Sequence, residues 1–418
     1  MGVDAQYGIV VSEGAKPREV AVIGAGPAGL FAAEIIARAG HRVTVYERMP
    51  SPARKFLLAG RGGLNLTHSE PLETFLSRYG DSANKIRTAV KAFPPSQLIA
   101  WADGLEAHTF IGSSGRIFPK AMKASPLLRA WLRRLDDLSV TLKTRHQWSG
   151  FTENNELSFA TPDGLLLIKP DASLFALGGA SWPKLGSDGR WLAPFQRAGV
   201  TSTPLAPANC GVVVPWSDVF RSRFEGRALK RVALSIGAST TRGEVIITEH
   251  GLEGGAIYAL IPLLRTALAT HASATLTVDL KPDIDVITLA ERLSKRRPKE
   301  TLTNFLRKSA HLDAAAIAIL REGQTPAPET AEALAGRIKA VPVKVTGLTG
   351  LDRAISTAGG IAWSELDDRL MVRRCPGVFV AGEMLDWEAP TGGYLLQGTI
   401  ATAFSAAKGL LNWLDERQ

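Results

Sequence analysis

The chain has 418 residues, 45% of them hydrophobic and 21% charged, with a formal net charge of +9. This balance suits two or three globular domains, and the lack of any run of 18 apolar residues argues against a transmembrane helix. The basic residues are dispersed, apart from short clusters such as Lys295-Arg296-Arg297, so a solvated basic surface is preferred over a nucleic-acid or membrane-binding one.

Residues 1–18 carry Asp4, Glu13, Lys16 and Arg18 and no continuous apolar stretch, so they read as a partly disordered leader and not as a signal peptide. Residues 20–23 form a short β-branched run, expected to be a buried strand. Gly24-Ala25-Gly26-Pro27-Ala28-Gly29 follows, then a helical pattern through Ala32, Ile35, Ile36 and Ala39, with Glu34 and Arg38 on the opposite face. Gly40 stands at the expected helix end, and residues 42–46 form a second strand that ends in Glu47. Each part has a physical task. Gly24 permits the tight turn, Gly26 lets a pyrophosphate approach the backbone, and Gly29 lets helix and strand pack closely. The helix N-terminus offers free N–H groups to phosphate. Glu47, 18 residues beyond Gly29, is spaced to accept from ribose hydroxyls. Pro27, Ala28, Arg48 and Arg54 flank these positions and join the candidate cofactor contacts. The motif alone does not choose between NAD and FAD.

Gly60-Arg61-Gly62-Gly63-Leu64-Asn65 then reads as a flexible, cationic loop able to lie close to a flat ring. Residues 94–109 predict a helix and connector, and Gly112 to Pro119 a turn beside a short strand, with Arg116 an anion clamp or, by preference, a solvent-facing ion-pair partner. Residues 127–135 form a basic amphipathic helix, and residues 173–177 a buried strand ending at Gly178-Gly179-Ala180-Ser181. From 191 the texture changes to short alternating strands at 232–236, 244–248 and 276–280, then four short helices between 287 and 338. The first texture returns near 345. Residues 356–361 are a small-residue turn, and residues 377–380 a strand ending in Ala381-Gly382-Glu383. Thr391-Gly392-Gly393-Tyr394 precedes a final helix with Ile400, Phe404, Ala407, Leu411 and Leu414 on one face. The expected fold is α/β: a discontinuous Rossmann-like domain over 19–190 and 345–418, interrupted at 191–344 by a β-rich cap with a helical subdomain at about 285–340. Cys210 and Cys375 form no C-x-x-C, so neither a redox dithiol nor a metal site is indicated, and two cysteines suit a reducing cytoplasm.

These motifs resemble the two-dinucleotide-binding-domain flavoproteins, and within them the YhiN/BaiN-like FAD-dependent oxidoreductases. The resemblance spans nearly the whole chain after residue 18. It rests most specifically on Gly115-Arg116-Ile117-Phe118-Pro119, Ala176-Leu177-Gly178-Gly179-Ala180-Ser181, Ser356-Thr357-Ala358-Gly359-Gly360-Ile361, Ala381-Gly382-Glu383-Met384-Leu385-Asp386 and Thr391-Gly392-Gly393-Tyr394-Leu395-Leu396-Gln397. It implies FAD at the Gly24 site, Glu47 on the adenosine ribose, Glu383 against the ribityl chain, and the Gly392-Gly393-Tyr394-Leu395 helix start facing the isoalloxazine. The Gly60, Gly62, Gly63 and Asn65 segment would pass along the flavin edge, with Gly178 and Gly382 at the strand ends. Two segments depart from the family. Its Gly-Gly-Gly-Arg-Cys-Asn run appears as Gly60-Arg61-Gly62-Gly63-Leu64-Asn65, and the Thr-His before Gly-Leu-Ser-Gly-Pro appears as Thr248-Glu249-His250-Gly251-Leu252-Glu253-Gly254-Gly255.

The expected activity is hydride transfer through flavin N5 to or from a small-molecule substrate. No second G-x-G-x-x-G follows a strand, so NAD(P)H would visit the flavin as a transient reductant, or the substrate itself would reduce it. His250 and Tyr394 are the candidate acid–base residues, followed by His68. Two other readings stand beside this one: a flavoprotein acting on RNA, and a flavin-binding regulatory protein without turnover.

Overall fold

The computed structural model describes all residues except 1, 5–8, 12–15, 298, 323–327, 329 and 418. Its centre is a five-stranded parallel sheet built from β1 (Glu19–Ile23), β2 (Arg42–Glu47), β3 (Thr141–Thr144), β4 (Ala172–Phe175) and β5 (Val378–Val380), in the order β5-β4-β1-β2-β3. Val20, Val22, Ile23, Val43, Val45, Leu174, Phe175 and Phe379 are all buried, as expected of parallel strands covered on both faces. Helix α1 (Pro27–Arg38) starts directly after β1, with Pro27 in its first turn, where a missing N–H costs nothing. The last helix, α2 (Tyr394–Asp415), lies against α1 and buries Ile400, Phe404, Ala407 and Leu410.

The chain divides into two compact units, Met1–Ala206 with Ser356–Gln418, and Pro207–Ile355. These boundaries fall later than the 190/191 and 344/345 read from composition. Residues 191–206 stay with the first unit because Phe195 packs on Trp148 and Phe175, with ring centroids 5.4 and 5.2 Å apart, and because Ser202–Ala208 pairs with Ser356–Ile361. The latter is a fully buried strand, not the turn its small residues suggested. Residues 345–355 stay with the second unit because Val341–Val345 and Gly347–Leu348 are strands of its sheet.

The second unit is built on a seven-stranded antiparallel sheet. It has helices at Val286–Leu293, Leu302–Ser309, Ala314–Glu322 and Ala331–Lys339, and a core that includes Leu234, Ile247, Leu276 and Ile338. Its two ends meet: Ile355 N–H donates to Asn209 O at 3.1 Å. In the first unit, part of the stretch read as a disordered leader is ordered. Gly2–Asp4 and Ile9–Val11 form an antiparallel pair, and the rest of residues 1–15 lies outside the described residues.

Glu34 is the clearest departure from the periodic reading. It does not face solvent with Arg38 but is fully buried, and its carboxylate accepts from Trp101 Nε1 (3.2 Å), Trp131 Nε1 (3.0 Å), Arg134 Nη1 (3.1 Å) and Arg38 Nη2 (3.1 Å). The helices Pro95–Asp103 and Ala124–Asp137 are thereby tied to α1.

Candidate active site

The turn between β1 and α1 is shaped for close approach. Gly24 has φ +104°, and a Cβ there would overlap Ala176 O; a Cβ on Gly29 would overlap Gly24 O. A Cβ on Gly26 would meet nothing within 4 Å. Gly24 and Gly29 are therefore glycines for the protein's own packing, whereas Gly26 leaves open space in front of the helix N-terminus. Ala28, buried in the first turn, lies where a Cβ on Gly382 would come within 3.0 Å of it.

Glu47 closes the site at the end of β2. Its Oε2 accepts from Ala25 N at 2.9 Å and its Oε1 from Met49 N at 2.8 Å. Burial pushes its carboxyl above the ordinary value, and those two N–H donors with Arg48 and Arg54 offset part of the rise. Arg48 reaches Asp188 Oδ2 at 2.7 Å, and Arg54 reaches Ser51 Oγ at 3.4 Å, yet the Nε of each is buried without a partner. Asn65 is similar, with both its amide oxygen and nitrogen buried and unpartnered, as are Thr67 Oγ1 and Ser187 Oγ. Buried polar atoms in this state normally find a partner, and a bound polar ligand supplies one. A dinucleotide fits this donor set and cradle.

At the far strand ends, Glu383 is held by the protein itself. Lys55 Nζ donates to Glu383 Oε2 at 2.8 Å and to Ser181 Oγ at 2.5 Å, while Thr357 N donates to Glu383 Oε1 at 2.9 Å and Gly179 N to Oε2 at 3.4 Å. The carboxylate expected against a ribityl chain is thus an organising group that joins three strand ends to the Lys55 helix. Sequence reasoning passed over Lys55, whose partner lies 328 residues away. Gly178 adopts φ +72°, and its carbonyl accepts from Trp191 Nε1 at 2.9 Å.

The segment read as a flexible loop begins as a 3-10 turn, Gly60–Gly62, that continues directly from the α-helix Arg54–Ala59. Gly60 is small because Ala124 N and Cβ would lie 2.6 Å from a Cβ there. Gly62 is open to solvent, and Gly63 (φ +110°) faces Met122 Cε, 2.8 Å from its would-be Cβ. At the start of α2, Gly393 (φ +97°) admits the Thr67 backbone, whose Cα is 2.6 Å from its would-be Cβ, and Gly392 (φ +117°) neighbours Arg116. Leu395 is half-buried in the first turn of α2.

Tyr394 gathers a polar cluster. Its hydroxyl donates to Glu70 Oε1 at 2.5 Å, and Arg78 Nη2 donates to Glu70 Oε2 at 2.9 Å. Burial and then the Glu70 hydrogen bond raise the Tyr394 phenol far above its ordinary value. Burial would raise Glu70 too, but the Arg78 and Tyr394 hydrogen bonds outweigh it and its carboxyl is lowered. His68 stacks on Tyr394, with centroids 5.7 Å and planes 19° apart. Its Nδ1 accepts from Glu70 N at 3.2 Å, which assigns the proton to Nε2, 3.0 Å from Ser114 O. Among the described residues Arg116 has no ion-pair partner, contrary to the preferred sequence reading. His250 belongs to the second unit. It is exposed in a turn there, with Nε2 3.8 Å from Glu249 Oε2. Cys210 and Cys375 are free, and burial pushes the Cys210 thiol up to about 11, which keeps it protonated at neutral pH.

The family model described as the HI0933-like protein Rossmann domain matches residues 18–409. The chain is 24% identical over 415 residues to the ribosomal RNA dihydrouridine synthase of Escherichia coli (strain K12), covering 93% of this chain and 97% of that protein. It is 25% identical over 406 residues to the 3-dehydro-bile acid delta(4,6)-reductase of Clostridium scindens, covering 93% and 98%. Among solved structures, the open conformation of a flavocytochrome c3 fumarate reductase aligns with TM-score 0.51 at 15% identity, over 96% of this chain and 80% of that one. No helix among the described residues is long and apolar enough to cross a membrane.

Proposed function

Because the chain belongs to the HI0933-like protein Rossmann domain family and has the fold of the FAD-dependent oxidoreductases, we propose that it is a flavin-dependent reductase that adds hydrogen across a conjugated carbon–carbon double bond of a small molecule. The cofactor part is carried by the open space over Gly26, next to Glu47, and is supported by the buried, unpartnered amide of Asn65. The activities named for the two curated relatives support the reaction class, since forming dihydrouridine and reducing a delta(4,6) system both saturate a ring double bond.

Bound FAD would supply hydride transfer through flavin N5. The protein's part is recognition and order. Gly26 and the α1 N-terminus receive the pyrophosphate, Glu47 accepts from the adenosine ribose, and Asn65 meets polar atoms of the flavin ring. Arg48, Arg54, Gly62, Gly63, Gly178, Gly382 and Gly392 line the same path, and the Lys55–Glu383 pair fixes the strand ends. Tyr394, with its proton held toward Glu70, is the favoured acid–base residue; His250 remains a second candidate from the other unit. NAD(P)H is the proposed transient reductant. Anaerobic addition of NADPH and then NADH to the FAD-loaded protein tests this reading. Prompt bleaching of the visible flavin band is expected, and a protein that takes up no FAD, or a band that stays oxidised, would overturn it. A second reading, action on RNA, is favoured by the identity to the ribosomal RNA dihydrouridine synthase, and loss of dihydrouridine from the RNA of cells lacking this protein would establish it.

A further inference from the structure

Three short strands frame one exposed face of the first unit. Arg116–Phe118 is central, with Thr67–His68 and Phe110–Ile111 on its sides. His68 pairs with Arg116, and Phe110 with Phe118, so these four side chains share a face, whereas Ile117 and Thr67 point to the other and are buried. The shared face is unusual for a surface. Phe110 is 44% exposed, and Met122, which meets Gly63 together with the Phe118 ring, is 39% exposed. Met122 also holds a left-handed backbone (φ +57°), a strain that bulky side chains avoid unless their surroundings impose it. In the middle stands Arg116, whose guanidinium has no partner among the described residues.

The face borders the two glycine segments assigned to the flavin. Arg116 Nε lies 3.6 Å from a would-be Cβ on Gly392, and the Phe118 ring 3.6 Å from one on Gly63. The stacked Tyr394 closes it at the His68 end. We infer that this face is the substrate seat, and that it takes an apolar, conjugated ring compound bearing a carboxylate, with the ring against Phe118, Phe110 and Met122 and the carboxylate on Arg116. The inference rests on the flavin reading above, which places the reacting ring beside Gly63 and Gly392. A guanidinium matches a planar carboxylate with two parallel hydrogen bonds, and the aromatic flank favours a ring over an extended chain. A nucleic-acid strand would call for several cations tracking a backbone, and among the described residues of these three strands Arg116 is the one guanidinium, with His68 and the Phe118 ring on the same face.

Calorimetric titration of the FAD-loaded protein with 2-naphthoate, and with neutral 2-naphthalenemethanol, tests the assignment; flavin difference spectra report how close the ring binds. Arg116→Gln should weaken naphthoate about tenfold and leave the alcohol unchanged, because only a charge-assisted pair is lost. Phe118→Ala should weaken both, with thermal melting confirming that each variant is folded. No naphthoate binding, or binding indifferent to Arg116→Gln, overturns the inference. Displacement of naphthoate by oligouridylate with steep salt dependence also overturns it, by assigning the face to RNA. A chain that takes no FAD sinks the earlier reading, whereas calorimetry on that same chain still reports whether Arg116 selects the anion.

Discussion

Glu47 is a carboxylate whose chemistry changes with the ligand. In the free protein, burial raises its pKa above the ordinary value despite two N–H donors. A group raised on folding adds stability below its unfolded value and loses that contribution as pH rises through its folded value. Ribose hydroxyls would donate to the ionised form and pull the value back down, so FAD should bind more tightly as pH rises through the Glu47 titration and more weakly toward acid. Flavin fluorescence titrations between about pH 4.5 and 8 should show this slope in the native protein and a flat profile in Glu47→Gln; a sloping Glu47→Gln profile would assign the effect to another group. Glu47 was legible in the sequence because strand, turn, helix and acid are close along the chain. Glu34 and Lys55 were not. Glu34 sits at a helical position that periodicity assigns to solvent, and only the indoles of Trp101 and Trp131 and the guanidinium of Arg134, all distant in sequence, make its burial tolerable. Glu70 escaped notice for the same reason, since its partner Tyr394 lies 324 residues away.

Elements carry the distinction between glycines that serve packing and glycines that serve a ligand. Gly26 and Gly29 are three residues apart at the start of one helix, yet only Gly29 has a backbone oxygen where a Cβ would go. Gly26→Ala should therefore melt within about 2 °C of the native protein while losing FAD. Gly29→Val should lower the melting temperature as well, because α1 must move off the Gly24 turn, a cost of about 1–3 kcal/mol. Equal melting for both variants would refute the division. The element pattern itself was partly readable: the β1–α1–β2 unit and the four helices between 286 and 339 lie close to where periodicity put them, whereas Ile261–Thr270 went unread. The misreadings share one cause. Residues 356–361 and 60–65 are rich in glycine and small side chains, a composition that signals turns when isolated. Here a strand partner at Ser202–Ala208 and the neighbouring Ala124 turn smallness into close packing.

For the molecule as a whole, the family and the α/β Rossmann-like class expected from the sequence hold. The meeting of Asn209 and Ile355 implies that the second unit is an excisable module with its own core. Residues 207–355 expressed alone should unfold cooperatively in urea, followed by Trp216 fluorescence, and take up no FAD; a broad, non-cooperative transition would contradict this. The same insertion sets a timetable for biosynthesis. Four strands of the parallel sheet leave the ribosome within the first 206 residues, but β5 and α2, the cover for α1, lie beyond the module. At about 5–20 residues per second the nascent sheet waits roughly 10–40 s for them. During that wait the apolar side of α1 lacks the cover that α2 provides, and the last helix is the clasp that closes it.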